Sequence, residues 1–312
     1  MDISTAFAFH GLHADAEAEV LETAAKSNSG LLDRARLLGY YCSLNNPTDL
    51  QVSKKLQNLL ALIEHSPWEA VLAVPLAPDD ARNEVIAKAW RDQTKIHQLR
   101  PDVLANAAAF LHHWDMEEAK QLLEAAIKLE PAEWKWRVRL GRVLLNGARA
   151  CSESAAQWAL ARKALTVLKE AEAIASSRER HSFLDGLTEG ALLAGDRPAA
   201  TEYAEQSLIA SVSSGWERGN LQHMAHTVLG ALAFDGSDLT RAQRHLEESL
   251  MVPESPQFKM RGPSTHLLRR MASVPLIFEA YVRRWKARFG LPIGWALEVR
   301  TGDPIVEINV RE

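Results

Sequence analysis

PDVLANAAAFLHHWDMEEAKQLLEAAIKLEP, residues 101–131, is the stretch on which the fold turns. Pro101 and Pro131 bracket two runs of apolar residues at helical spacing, separated by the His-His-Trp-Asp step at 112–115. Proline suits the first turn of a helix and stops one that reaches it, so each marks a helix boundary. Two helices joined by so short a link are expected to run antiparallel. Ala107, Ala119 and Ala126 then fall where the pair crosses, and Leu123 fills the layer beside them. Small side chains at a crossing let two helix axes approach closely, so their placement carries packing information that apolar periodicity alone does not.

The same arrangement recurs downstream. Leu140 and Gly141 open a second unit whose return run carries Ala164, Leu168 and Ala171. Leu187 and Thr188 open a third with Ala200, Ala204 and Ser207, and Leu229 and Gly230 a fourth with Ala242, Leu246 and Ser249. In the first, third and fourth units the small residues are separated by steps of 12 and then 7. The second departs by an insertion around ARACSESAAQWAL, which predicts longer helices there. A pattern repeating at a fixed period signals stacked supersecondary units. These units resemble the tetratricopeptide (TPR) repeat. The resemblance implies an all-α, right-handed α-solenoid of antiparallel helix pairs, with a period nearer 36 to 45 than the regular 34.

Working outward, LLGYYCSLNN and KKLQNLLALIEHSP resemble a divergent further pair, with Leu38 and Gly39 in the small-residue position. VPLIFEAYVRRWKARFG is amphipathic: Ile277, Tyr281, Val282, Trp285 and Phe289 form one stripe, with Arg283, Arg284, Lys286 and Arg288 largely off it. This is the pattern of a capping helix, which a solenoid needs to cover its last apolar face. The segment from GPSTHLL to VRTGDP is similar to the tail of uncharacterised bacterial TPR-like proteins. The expected organisation is one continuous solenoid: an acidic lead over 1–30, divergent pairs over 31–98, TPR-like repeats over 99–260, and a cap and tail over 261–312.

Composition narrows the classes. Apolar residues make up 47% and charged residues 24% of 312, a balance that suits a folded, soluble chain and neither disorder nor a membrane protein. A net charge of -4 supplies no general attraction for nucleic acid. Cys42 and Cys151 stand alone, without zinc-ligand spacing, and are expected to be reduced and buried. With no basic leader and no run of about 18 apolar residues, a cytoplasmic location is expected. The phosphate loop, the nucleophile elbow and the dinucleotide fingerprint are all absent, and carboxylates such as Glu117 and Glu118 read as solvated helix faces. No enzyme activity and no cofactor are expected.

In TPR proteins the first helix of each pair lines a concave groove that holds a peptide or partner helix, so position there carries the function. Lys135, Arg139 and Arg142 lie at i, i+4 and i+7 on the first helix of the second unit and form one cationic stripe. Lys135 and Arg139 fall where TPR cochaperones place the cations of a carboxylate clamp. Asn106 supplies the clamp amide only if its register shifts by one, and the remaining Lys and Asn have no counterpart. Asp185 and Glu189, a like-charged i, i+4 pair on the next unit, are groove candidates too, and Arg139 and Arg142 are the cations expected to neutralise them.

His223 and His226, three apart on one helix, and the adjacent His112 and His113 belong to no metal motif. They are expected to be structural or surface residues, with no metal. The expected function is protein or peptide binding in the groove, the partner's identity open. Two alternatives stand beside it: a regulatory or nucleic-acid-linked protein that uses the basic C-terminal end, and an unrecognised enzyme.

Overall fold

The structure, a computed structural model, describes residues 2–8, 11–27, 30–44, 47–74, 80–151, 153–213, 215, 218–255, 258, 262–271 and 273–290. Every regular element among them is a helix. None is long and apolar enough to cross a membrane. The tail expected beyond residue 290, together with Lys259 and Arg261, lies outside the described residues. The chain divides into two compact units, Met1–Val143 and Leu144–Glu312.

The first unit holds α1 (Ile3–Ala8), α2 (Asp15–Ser27), α3 (Leu31–Ser43), α4 (Asp49–His65), α5 (Asn83–Ile96), α6 (Pro101–Leu111), α7 (Met116–Leu129) and the start of α8 (Trp134–Ala150). From α2 to α7 each helix packs on the next, as short links require, and α1 packs on α3. Thr48 opens α4 with a capping box: its hydroxyl accepts from the Gln51 amide, and the Gln51 side chain accepts from the Thr48 N–H. Leu38, Leu59, Leu62, Ile63, Trp90 and Phe110 form the core with no measurable exposure. Gly39 serves the lead segment: α1 passes so close that a Cβ there would lie 2.1 Å from the Phe7 carbonyl oxygen.

The second unit continues from within α8 through α9 (Ser154–Ile174), the short α10 (Ser177–Arg180), α11 (Leu184–Leu193), α12 (Arg197–Ser211), α13 (Arg218–Asp235), α14 (Leu239–Leu250), α15 (Thr265–Met271) and α16 (Pro275–Phe289). The insertion between α8 and α9 is spent on helix: they run to 17 and 21 residues. Besides its sequence neighbours, α11 packs on α13, and α13 on α15. Tyr281, Trp285 and Phe289 of α16 are buried with Phe278 against Leu246 and Leu250, while Arg283, Arg284, Lys286 and Arg288 are exposed.

The small residues of the repeat, Ala107, Ala119, Ala126, Gly141, Ala164, Ala171, Ala200, Gly230 and Ala242, are all buried. At Gly230 a Cβ would meet the Leu267 side chain, so the glycine leaves room for that leucine between α13 and α15. Where the slot holds a hydroxyl, it donates its proton to a carbonyl of its own helix. Thr188 Oγ1 donates to the Leu184 carbonyl, Ser207 Oγ donates to that of Tyr203, and the two hydroxyls lie 3.2 Å apart. The turn carries a further repeat position. Asp115, Asp196 and Asp238 each follow the small residue by eight and cap the return helix, accepting from the amides of Glu118, Ala199 and Arg241 at 2.9, 3.1 and 2.9 Å.

Both cysteines are half-buried free thiols, not fully buried as expected.

Candidate functional site

The cationic stripe on α8 is held unevenly. Lys135 is exposed, 3.6 Å from Glu133 and over the Trp134 ring. Arg139 is half-buried, with its guanidinium 5.3 Å from the centroid of Trp136, and Nη1 donates to Asn106 Oδ1 at 3.0 Å. Asn106 is itself buried and donates its amide to the Pro67 carbonyl at 3.0 Å, which fixes the direction in which its oxygen points. Among the described residues no carboxylate pairs with Arg139. Burial, and after it the like charge of Arg142, lower its pKa below the usual arginine value. Arg142 is exposed.

The site therefore joins Asn106 to Arg139 and adds Trp136, which sequence reasoning passed over. Its signal was the W-x-x-R spacing, which stacks an aromatic ring and a guanidinium on one helical face.

Glu189 corrects an expectation. It is 3% exposed and belongs to the interior, not to a groove wall. Arg149 grips it with both prongs, Nε to Oε1 at 2.7 Å and Nη2 to Oε2 at 2.8 Å, and His266 Nε2 lies 2.8 Å from Oε1. Burial alone would raise this carboxyl's pKa, but the Arg149 charge and the two hydrogen-bond partners outweigh it, so the pKa sits well below the ordinary carboxylate range. Glu189 is thus neutralised by Arg149, and not by Arg139 and Arg142 as expected, with His266 in hydrogen-bond contact beside it. A buried carboxylate needs partners that reach it through the core, and these come from the end of α8 and the start of α15.

Asp185, one turn earlier and half-buried, accepts from Asn220 Nδ2 at 3.2 Å. Beside the Arg149 and His266 pair opens a cavity of about 270 Å3, lined also by Gln157, Thr265, Arg269 and Arg270. Arg270 is committed to Asp235 through Nε and Nη2 at 2.7 and 2.9 Å.

The histidines part company. His223 is buried, with Nδ1 3.2 Å from the Ser249 carbonyl and Nε2 accepting the Ser264 N–H at 2.9 Å. That fixes a neutral tautomer, and burial pushes its pKa down to about 4. His226 turns away from His223 toward α14, where it meets His245 and Glu248. His112 and His113 stay at the α6–α7 turn with ring centroids 3.9 Å apart, and His112 Nδ1 lies 2.8 Å from the Ala109 carbonyl.

No protein-family model matches the chain, and no curated protein matches it significantly.

Proposed function

We propose that the helix pairs form a TPR-like right-handed solenoid that binds a protein or peptide, with Lys135, Arg139 and Arg142 receiving carboxylates of an acidic segment. The observation that carries this reading is the state of Arg139: a half-buried guanidinium positioned by a neutral amide and an indole ring, with no carboxylate partner among the described residues. A desolvated cation without a counter-charge is costly, and an incoming carboxylate relieves that cost while accepting two parallel hydrogen bonds. Ring, amide and helix also hold the guanidinium in place before the ligand arrives, so little side-chain entropy is lost on binding.

The basic end of α16 supports the binding of nucleic acid less well, because Tyr281, Trp285 and Phe289 face the core and offer bases no stacking surface.

The test is fluorescence polarisation with labelled acidic peptides, each with a free or an amidated C-terminus, against the wild-type chain, Arg139→Ala and Arg139→Glu. A hydrogen-bonded charge of this kind contributes about 1.5–3 kcal/mol, so Arg139→Ala should weaken binding roughly 10- to 100-fold, and Arg139→Glu further. Equal affinities for all three proteins would remove the stripe from the binding surface.

A further inference from the structure

We infer that His226, His245 and Glu248 form a binding site for a divalent transition-metal ion of the zinc type, joining α13 to α14. His226 Nδ1 lies 3.3 Å from His245 Nδ1, and Glu248 Oε2 lies 3.2 and 3.1 Å from those same two nitrogens. Three ligand atoms thus form a nearly equilateral triangle. Zinc–nitrogen bonds of about 2.0–2.1 Å in a tetrahedron place neighbouring ligand atoms about 3.3–3.4 Å apart, so the triangle matches one face of the coordination shell with little adjustment.

The donor set points the same way. Two imidazoles and a carboxylate suit Zn2+, Co2+ or Ni2+, whereas Mg2+ and Ca2+ prefer oxygen alone. The helices dictate the meeting. His245 and Glu248 are i and i+3 on α14, and so share a face, and His226 projects from the antiparallel partner α13 onto that face. Arg244 Nε lies 3.7 Å from the other carboxylate oxygen, Oε1, so Oε2 is the oxygen turned to the histidines.

The surroundings provide entry as well as enclosure. The side chain of His245 is 6% exposed and that of His226 18%, while that of Glu248 is 41% exposed. An ion would arrive from the Glu248 side and keep a fourth position there for water or for a donor from a partner. His245 Nε2, on the far side of its ring, is buried without a hydrogen-bond partner among the described residues. Metal-bound histidines ordinarily donate this second N–H, and losing such support weakens binding about 10- to 100-fold, so this site should be weaker than a fully buttressed structural zinc site.

The experiment is titration of untagged, chelator-treated full-length protein with Zn2+ by calorimetry, and with Co2+ by visible absorption. The wild type should bind one Zn2+ at this site and develop the intense ligand-field bands of four-coordinate Co2+. Glu248→Gln and His226→Gln should each weaken Zn2+ binding at least tenfold and lose those bands, while a His112→Asn/His113→Asn double variant keeps both. Thermal unfolding of each variant without metal reports whether it has folded. Absence of saturable Zn2+ binding by the wild type, or folded Glu248→Gln and His226→Gln variants that bind as the wild type does, would overturn the assignment.

Discussion

Acidification from pH 7 to pH 5 should loosen the second unit through His223. The ring is 3% exposed, its Nε2 accepts the Ser264 N–H at 2.9 Å, and the rings of Trp285 and Phe258 stand at centroid distances of 4.8 and 5.3 Å. A proton on Nε2 would point at another N–H in a site shut off from solvent. Folding therefore lowers the pKa from 6.5 to about 4, chiefly by desolvation.

A histidine whose folded pKa is depressed leaves stability intact above the unfolded value. Stability then falls as pH drops from 6.5 toward 4, because only the unfolded state takes up the proton. The full effect of that shift is about 3 kcal/mol, and about 2 kcal/mol of it appears by pH 5. Urea denaturation followed by circular dichroism at pH 7 and pH 5, on the wild type and His223→Gln, isolates this share from that of the other histidines. The wild type should lose about 2 kcal/mol more than the variant over that interval. Equal losses in the two proteins would refute the claim that His223 is held neutral by the Ser264 N–H and the aromatic rings around it.

Other outcomes follow from single contacts. Glu189→Gln strips the counter-charge from Arg149 and should lower stability by about 1–3 kcal/mol, discounted because Arg149 is partly solvated; chemical denaturation at pH 7 measures it. Since the Glu189 carboxyl is held below its unfolded pKa near 4.5, its contribution is present above that pH and fades below it, a dependence the glutamine variant should lack. Ser237 has a φ of 64° in the turn position that Gly195, at 74°, occupies in the preceding unit. Ser237→Gly should therefore stabilise the protein by about 0.5–1 kcal/mol and Gly195→Ala should destabilise it, both readable as shifts in thermal midpoint. Gly39→Ala would drive a methyl group into the Phe7 carbonyl and should release α1, seen as faster amide exchange over Ile3–Ala8.

Much of the helical organisation was legible because it rests on local rules. The prolines at 101 and 131 and the step at 112–115 located α6 and α7 to within two residues, and the 12-and-7 step marked small residues that are all buried. The stripe of α16 was readable for the same reason: a 3.6-residue period sorts Tyr281 and Trp285 from Arg283 and Arg284 whatever the helix packs against. The site was legible only in part. Lys135, Arg139 and Arg142 share a face by spacing alone, and Asn106 was named as the amide that one register would bring near.

What the sequence by itself determined, then, is where the helices lie, which faces are apolar and where a small side chain is needed. Tertiary structure alone decided that Glu189 belongs to Arg149 and His266, 40 and 77 residues away, and that His226 faces His245 and not its near neighbour His223. The physical reason is that backbone hydrogen bonding and side-chain period act within a few residues. Which charged or imidazole groups meet across a helix interface depends instead on the rotation of each helix about its axis, and that rotation is set by packing against all its neighbours at once.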